Sequence, residues 1–196
     1  TQDSRAPHKK NPRQIIPSCP VPTGLQATLR PYQVEGFQWL SFLYEHRLGG
    51  ILADDMGLGK TVQALALLAH AIEEHRAASE RAAECGESVE PFAPFLVVAP
   101  TSVISNWAAE AERFLPEAKV VTITETTAGK TPLAERIAGA HLVLTSYTLL
   151  RMDEDAYTGY ARTLGGAVDE HTGEQSAPEG WGALLLDEAQ FVKNTG

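Results

Sequence analysis

Apolar residues along the chain form short continuous runs that alternate with stretches of helical periodicity. The runs have the length of strands and are GILA (50–53), FLVVA (95–99), KVVTI (119–123), HLVLT (141–145) and ALLLD (183–187). Between them, apolar positions recur at helical spacing over about 60–84, 103–114 and 132–139. Continuous apolar strands that alternate with helices are typical of a parallel sheet with helices on both faces. The pattern therefore predicts an α/β fold built on a mainly parallel sheet.

A proline-rich stretch precedes this alternation. Residues 1–28 hold five of the twelve prolines and little periodicity, which predicts an extended lead-in before an ordered domain at 29–196. Apolar residues at helical spacing after Pro31 predict a first helix that ends at a Gly-Gly pair. Two stretches rich in charge, glycine or proline are interpreted as surface insertions into the domain, and these are 79–94 and 153–180.

Composition limits the classes of protein that fit the chain. The longest nearly apolar run, ALALLAHAI at 64–72, is far shorter than the roughly 18 to 20 residues that cross a bilayer, so no contact with a membrane is expected. No apolar signal core is present at the first residues, which gives no indication of secretion. Cys19 and Cys85 lack the spacing of a disulfide framework or a zinc site. We therefore expect a reducing, cytoplasmic location.

Acidic residues outnumber basic residues, but unevenly. The net charge is −9, with seven Lys/Arg against five Asp/Glu in residues 1–60 and nine against twenty in residues 61–196. A broad basic face for nucleic acid is therefore excluded. Any contact with nucleic acid would use local hydroxyls, backbone amides and a few cations.

The stretch DDMGLGKT at 54–61 nearly matches the phosphate-binding loop pattern, with Asp54 in place of the first glycine. A predicted strand precedes it and a predicted helix follows, which is the context that the loop requires. Its glycines would let successive amides face a phosphate, Lys60 would reach the β and γ phosphates, and the Thr61 hydroxyl would bind Mg²⁺. The predicted nucleotide-binding residues of this loop are Asp54, Asp55, Met56, Gly57, Leu58, Gly59, Lys60 and Thr61. A chance Gly-Lys-Thr at the start of a helix is the alternative.

A second motif, ALLLDEAQ at 183–190, ends an apolar run with two adjacent carboxylates. Residues after parallel strands meet at one edge of a sheet, where the phosphate-binding loop is also expected. Asp187 is suited to the Mg²⁺ shell, and Glu188 is suited to the base that deprotonates an attacking water. The predicted catalytic residues are thus Glu188 and Lys60, and the predicted metal ligands are Thr61 and Asp187. An acidic helix cap is the alternative for the pair.

Five segments, in this order, resemble the opening motifs of Swi/Snf-type ATPases, the double-stranded-DNA translocases of helicase superfamily two: LRPYQVEGFQWL, ILADDMGLGKTVQAL, LVVAPTSVISNWAAEAERF, LTSYTLL and LLLDEAQFVKN. The resemblance covers residues 25–152 and 181–194. It implies a RecA-like P-loop NTPase sandwich of three layers, forming part of the first motor lobe. It also implies an ATP- and Mg²⁺-dependent ATPase that moves on double-stranded DNA. A bacterial-type member, associated with the nucleoid, is the expectation within this family.

The resemblance also assigns roles outside the two main motifs. Gln33 resembles the glutamine that reads adenine, with a solvated side chain as the alternative, and Gln190 resembles the residue that couples the γ-phosphate state to DNA binding. Hydroxyls at or just after the ends of two predicted strands resemble contacts to the DNA backbone, and these are Thr101, Ser102, Thr145 and Ser146. Helix capping is the alternative for Ser102. Trp107 is interpreted as a packing residue.

The chain stops nine residues after Asp187, so the second RecA-like lobe that the resemblance implies is expected in another part of the protein. Residues 1–196 alone are therefore expected to show no DNA-stimulated ATP hydrolysis. Two other functions stay open. One is a non-catalytic nucleotide-binding or interaction module, which an intact Glu188 argues against and the lack of a second lobe in residues 1–196 favours. The other is a structural fragment that binds nothing, which a nucleotide titration would distinguish.

Overall fold

The computed structural model describes residues 18–52, 58–128, 130–162 and 180–190. In these residues, six helices and four strands follow one another along the chain. The helices are α1 (Pro31–Glu45), α2 (Lys60–Cys85), α3 (Thr101–Phe114), α4 (Leu133–Arg136), α5 (Tyr147–Met152) and α6 (Glu154–Arg162). The strands are β1 (Phe95–Ala99), β2 (Val120–Thr122), β3 (Leu142–Ser146) and β4 (Ala183–Leu186).

The four strands form one parallel sheet in the order β2-β3-β1-β4. In the centre of the sheet, Val97 of β1 is level with Leu144 of β3 on one side and Leu185 of β4 on the other. All three central residues come from the continuous apolar runs of the sequence. The predicted parallel sheet is therefore confirmed, and every strand directs its carboxyl end to the same edge.

Two hydrophobic cores cover the two faces of the sheet. Alternate side chains of β1 point to opposite faces, so Phe95 and Val97 enter one core and Leu96 and Val98 enter the other. Helices α1, α2 and α3 pack in the first core, and α4, α5 and α6 line the second. The arrangement is a sandwich of three layers, as predicted.

Helix α1 packs closely on the start of α2 because Gly36 has no side chain. A Cβ at Gly36 would lie 1.9 Å from Oε1 of Gln63. The same two helices bury Phe37 and Leu65 almost completely. This contact fixes the first turn of α1 beside the loop that precedes α2.

The ordered structure begins earlier than the predicted Leu29. Leu25 is buried in the first core. The backbone N–H of Gly24 donates to the Glu73 carboxylate at 2.7 Å, and the N–H of Gln26 donates to the carbonyl of Phe114 at 2.7 Å. Part of the predicted lead-in therefore packs against α2 and α3.

The predicted strand at 50–53 is wrong over its described part. Residues 50–52 have no strand pairing, and the Ile51 side chain is 86% exposed.

The first predicted insertion, 79–94, begins inside α2, which continues to Cys85. In the second predicted insertion, 153–180, residues 154–162 form α6, and residues 163–179 lie outside the described residues.

None of the helices in the described ranges has the length and apolarity needed to cross a membrane.

Candidate nucleotide site

The start of α2 carries the described part of the phosphate-binding loop. Gly59 adopts a left-handed conformation, with φ of 81°, and its carbonyl accepts the N–H of Gln63 at 3.3 Å. Lys60 and Thr61 are therefore the first two residues of the helix, and both are half-buried. A helix N-terminus presents unpaired amides and a partial positive charge, which favour an anion. The other predicted loop residues, 54–57, lie outside the described residues.

The first turn of α1 holds this loop through one carbonyl. The carbonyl of Leu58 accepts hydrogen bonds from Nε2 of Gln33 at 3.0 Å and from the hydroxyl of Tyr32 at 3.2 Å. Oε1 of Gln33 in turn accepts the N–H of Arg30 at 2.9 Å. Because Gln33 is only 9% exposed, the alternative of a solvated side chain is wrong.

Gln33 still has the capacity that adenine recognition requires. A glutamine amide has two donor hydrogens and two acceptor lone pairs, and the bonds to Leu58 and Arg30 use one of each. The adenine contact of Gln33 stays a prediction. Because Gln33 also donates to the Leu58 carbonyl, a movement of the phosphate-binding loop would displace the Gln33 side chain.

The acidic pair follows β4 at the carboxyl edge of the sheet. The N–H of Asp187 continues the ladder by donating to the carbonyl of Val98 at 2.9 Å. Its carboxylate accepts Nε1–H of Trp107 at Oδ2 and the N–H of Glu188 at Oδ1, both at 2.9 Å. Its carbonyl accepts the hydroxyl of Tyr147 at 2.8 Å. Residues from α3 and α5 thus hold Asp187 from two neighbouring elements.

Glu188 occupies a strained position next to Asp187. Its φ is 52°, in the left-handed region that a glutamate rarely adopts, and such strain concentrates at functional sites. The side-chain amide of Gln190 donates to Oε2 of Glu188. The structure therefore brings the predicted coupling residue into contact with the predicted base, while both roles stay predictions.

The carboxylate oxygens of Asp187 are ligands of the kind that Mg²⁺ prefers. Magnesium prefers oxygen ligands and is usually held by one or two carboxylates together with phosphates and water. Each carboxylate oxygen of Asp187 accepts one protein hydrogen bond, which leaves further lone pairs for a cation. Among the described residues, no cluster of three His, Cys, Asp or Glu side chains could bind a metal ion by itself.

Burial, together with negative charge at this edge, raises the pKa of two neighbouring groups. Burial raises the pKa of the Glu110 carboxyl, Arg113 opposes the rise and Asp187 adds to it. Burial, and then the charges of Asp187 and Glu188, raise the pKa of the Tyr147 phenol. The phenol therefore stays protonated at neutral pH, as its hydrogen bond to the Asp187 carbonyl requires.

The four hydroxyls predicted to contact DNA divide into two pairs. Thr101 and Ser102 are exposed in the first turn of α3, whose N-cap is Pro100 without a side-chain cap, so the capping alternative for Ser102 is wrong. Thr145 is fully buried, and its hydroxyl pairs with that of Tyr157 at 2.9 Å. Ser146 is 6% exposed and accepts the N–H of Leu149.

The hydroxyls of Thr145 and Ser146 thus have partners inside the protein, and their predicted contact with DNA has no support in this structure. Thr101 and Ser102 are the pair whose exposure is compatible with a DNA backbone, and their contact stays a prediction.

Three polar contacts of the site were not predicted from the sequence. They are the hydroxyl of Tyr32 on the loop carbonyl, the indole N–H of Trp107 on Asp187, and the hydroxyl of Tyr147 on the carbonyl of Asp187. Trp107 is 5% exposed and packs in the first core, as interpreted, but it is also a hydrogen-bond donor. A buried indole N–H usually finds an acceptor, which was the available signal, although the signal does not identify the acceptor.

Comparison with known proteins identifies similar sequences and structures. A profile of the SNF2-related domain matches residues 32–196. The chain is 36% identical over 197 residues to the chromatin-remodeling ATPase INO80 of Arabidopsis thaliana and 33% identical over 182 residues to the helicase SWR1 of Candida albicans, matching 96% and 91% of this chain. The SWI2/SNF2 ATPase core of Sulfolobus solfataricus, solved in complex with double-stranded DNA, has 29% identity and a TM-score of 0.62 over 91% of this chain.

These relatives are much longer than the chain. The matched region spans 11% of the Arabidopsis protein, 9% of the Candida protein and 29% of the Sulfolobus chain. The fold of the Sulfolobus ATPase core agrees with the predicted RecA-like sandwich. The relatives come from a plant, a yeast and an archaeon, so they give no support to the expectation of a bacterial-type member.

Proposed function

Because this chain belongs to the SNF2-related domain family, we propose that it is the ATP-binding part of a DNA-dependent ATPase that translocates on double-stranded DNA. The observation that carries the proposal is the start of α2, where left-handed Gly59 sets Lys60 and Thr61 in the first helical turn. Gln33 and Tyr32 hold the preceding carbonyl from α1. This arrangement suits a nucleotide polyphosphate.

Two sets of residues perform different tasks in the proposed reaction. Lys60 binds the β and γ phosphates, with the remaining loop residues contributing backbone amides. Asp187 and Thr61 would hold Mg²⁺, which supplies charge neutralisation at the phosphates when bound. Glu188 orients and deprotonates the attacking water, and Gln33 contacts adenine. Gln190, in contact with Glu188, couples the state of the nucleotide to DNA.

DNA binding in this proposal relies on few local contacts, because the described surface belongs to a chain with a net charge of −9. The exposed hydroxyls of Thr101 and Ser102 contact a phosphate of the backbone at the start of α3. A second RecA-like lobe of the same protein supplies the remaining DNA contacts and the arginine that phosphoryl transfer requires. The proposed place of action is therefore at DNA, and the named relatives make chromatin a candidate substrate.

The nucleotide assignment is tested by Lys60→Ala in the purified protein, with Mg·ATP affinity measured by calorimetry. Losing a charge-assisted contact should weaken binding by about 1.5 to 3 kcal/mol. Lys119→Ala is the control, because Lys119 contacts the carbonyl of Ala138 at the opposite edge of the sheet. Equal affinity in the wild-type and Lys60→Ala proteins would reject the site.

The catalytic assignment is tested by Glu188→Gln in the protein that includes the second lobe, because that lobe supplies the arginine for hydrolysis. The change preserves the shape of the side chain and removes the base. We expect unchanged ATP affinity and no DNA-stimulated phosphate release. Hydrolysis at the wild-type rate in the presence of duplex DNA would reject this role of Glu188. ATP binding without DNA-stimulated hydrolysis in the wild-type protein that includes the second lobe would favour the alternative of a non-catalytic nucleotide-binding module.

A further inference from the structure

We infer that Trp107 is a positioning residue for Asp187, and that its indole N–H fixes the orientation in which the carboxylate meets a divalent cation. The inference rests on the proposed function, since it concerns how the same site binds Mg²⁺ with its nucleotide. Trp107 would touch neither the nucleotide nor the cation. It would act through the hydrogen bond from its Nε1 to Oδ2 of Asp187, which is 2.9 Å long.

Trp107 is held rigidly enough for this task. Its side chain is 5% exposed and lies in the same core as Ile104 and Ala111, one turn before and one turn after it on α3. The indole ring therefore has little freedom to rotate away from the carboxylate. Helix α3 follows β1 directly, Asp187 follows β4 directly, and β1 pairs with β4, so the donor and the acceptor both follow adjacent strands of one sheet.

The remaining contacts of Asp187 restrain its backbone and one carboxylate oxygen. Its N–H donates to Val98, its carbonyl accepts from Tyr147, and Oδ1 accepts the N–H of Glu188. The second oxygen, Oδ2, accepts from Trp107. With both oxygens restrained, the carboxylate plane has one orientation, and its unused lone pairs point in fixed directions. Partners of metal-binding side chains that fix such an orientation typically change metal affinity by about 10- to 100-fold when they are mutated.

An indole is suited to this position because it is neutral and donates only. Arginine or lysine at the same place would also hold Oδ2, but would neutralise the charge that attracts a cation. A hydroxyl could donate or accept, whereas the Trp107 N–H can only donate and therefore fits the carboxylate as an acceptor. Trp107 thus restrains Asp187 and leaves its negative charge in place.

Trp181 provides a matched comparison within the chain. It is also buried, at 8% exposure, and its indole N–H donates to the carbonyl of Tyr157 at 3.1 Å. That bond lies in the second core, on the other face of the sheet from Trp107. Trp181→Phe therefore removes a buried indole hydrogen bond of the same kind without touching Asp187.

The test compares Trp107→Phe and Trp181→Phe in the purified protein, with ATP affinity measured by calorimetry over a series of Mg²⁺ concentrations and in EDTA. Trp107→Phe should raise the Mg²⁺ concentration for half-maximal tightening of ATP binding by about tenfold. Trp181→Phe should leave that concentration at the wild-type value, and both variants should bind ATP equally in EDTA. In an Asp187→Asn background, Trp107→Phe should have no further effect on the Mg²⁺ dependence.

An equal Mg²⁺ dependence in the two Phe variants, or an effect of Trp107→Phe that persists with Asn at position 187, would overturn the inference. If Trp107→Phe does not fold, indole N–H signals in the ¹H–¹⁵N spectrum of the wild-type protein decide instead. Adding Mg·ATP should shift the signal of Trp107 and not that of Trp181, and Asp187→Asn should abolish the shift. An unresponsive Trp107 signal would reject the inference. The proposed function has its own test, because it requires that ATP binding depend on Lys60 whatever the result for Trp107.

Discussion

Gly59 meets two requirements at a single residue. Its φ of 81° lies in the left-handed region, and a Cβ there would lie 2.4 Å from Nε2 of Gln33. The nitrogen that would be displaced is the one that donates to the carbonyl of Leu58. A side chain at Gly59 would therefore strain the backbone and also release the loop from α1.

Gly86 makes it possible to separate these two effects. It is the C-cap of the same helix, with φ of 74°, and a Cβ there would meet nothing within 4 Å. We expect both Gly59→Ala and Gly86→Ala to lower the free energy of unfolding by about 1 to 2 kcal/mol through backbone strain. Gly59→Ala should lower it further and should also weaken ATP binding. Chemical denaturation and calorimetry measure the two quantities, and equal ATP affinity in the two variants would contradict the proposed link between Gln33 and the loop.

Single residues also show how much of the site could be predicted. The position of Asp187 after a strand was visible in the sequence, because a run of leucines ends directly before it. Its partner Trp107 lies 80 positions away, so no local pattern could connect them. Thr145 and Ser102 both lie near the end of an apolar run, yet one is fully buried and the other exposed. Thr145 is still part of β3 and meets the hydroxyl of Tyr157 from a later helix, whereas Ser102 lies in the first turn of α3.

Among the elements, the strands were predicted best where an apolar run enters the middle of the sheet. FLVVA corresponds to β1 residue for residue, because β1 has a partner on each side and all five of its side chains are buried. The run at 50–53 has similar hydrophobicity, yet residues 50–52 form no strand. These residues have no paired strand beside them, and the Ile51 side chain is exposed, so apolar character there led neither to strand pairing nor to burial. This is why the pattern was insufficient at 50–53.

Helix α6, which follows β3, was not predicted because its sequence is charged rather than apolar. Helix α6 carries Glu154, Asp155 and Arg162 within nine residues, which makes the segment look like a charged surface insertion. Of its described side chains, Tyr157 is the one that is buried. Ala156 and Tyr160 pack beside it on the second core, and three such residues at helical spacing were too few to stand out among the charges of the segment.

The contact between β3 and α6 gives a prediction at this scale. Tyr157→Phe leaves the buried hydroxyl of Thr145 without its observed partner and should lower the free energy of unfolding by about 1 to 3 kcal/mol. Adding Thr145→Val should restore part of that loss, because both polar groups are then absent from the core. Denaturation of the two single variants and the double variant measures the coupling. Additive losses would show that the two hydroxyls do not interact.

Across the whole molecule, the edge of the sheet opposite the acidic pair carries His141, whose pKa is lowered by burial. His141 directly precedes β3, and its Nδ1 accepts the N–H of Lys119, which directly precedes β2, at 2.9 Å. That bond requires an unprotonated Nδ1. Burial, and then the positive charges of His75, Arg76 and Lys119, lower the pKa of His141 below its usual 6.5.

The lowered pKa predicts a loss of stability in acid. Below pH 6.5 the unfolded chain binds a proton at His141 more readily than the folded chain does, so folding becomes less favourable as pH falls. The contribution of His141 should be complete above pH 6.5 and should disappear as pH falls through the folded pKa. Urea denaturation of the wild type and of His141→Asn, which keeps an acceptor near Lys119, should give curves that diverge below that pH. Parallel pH dependence in the two proteins would contradict this role of His141.

The hydrogen bond between Trp107 and Asp187 also gives the protein an optical property. An indole emits fluorescence whose intensity and wavelength depend on the partner of its N–H group, and here that partner is the predicted metal-binding carboxylate. Replacing the other two tryptophans, Trp39 and Trp181, with phenylalanine leaves a single emitter at this site. The fluorescence of Trp107 would then report the binding and release of Mg·ATP in real time, without an attached dye.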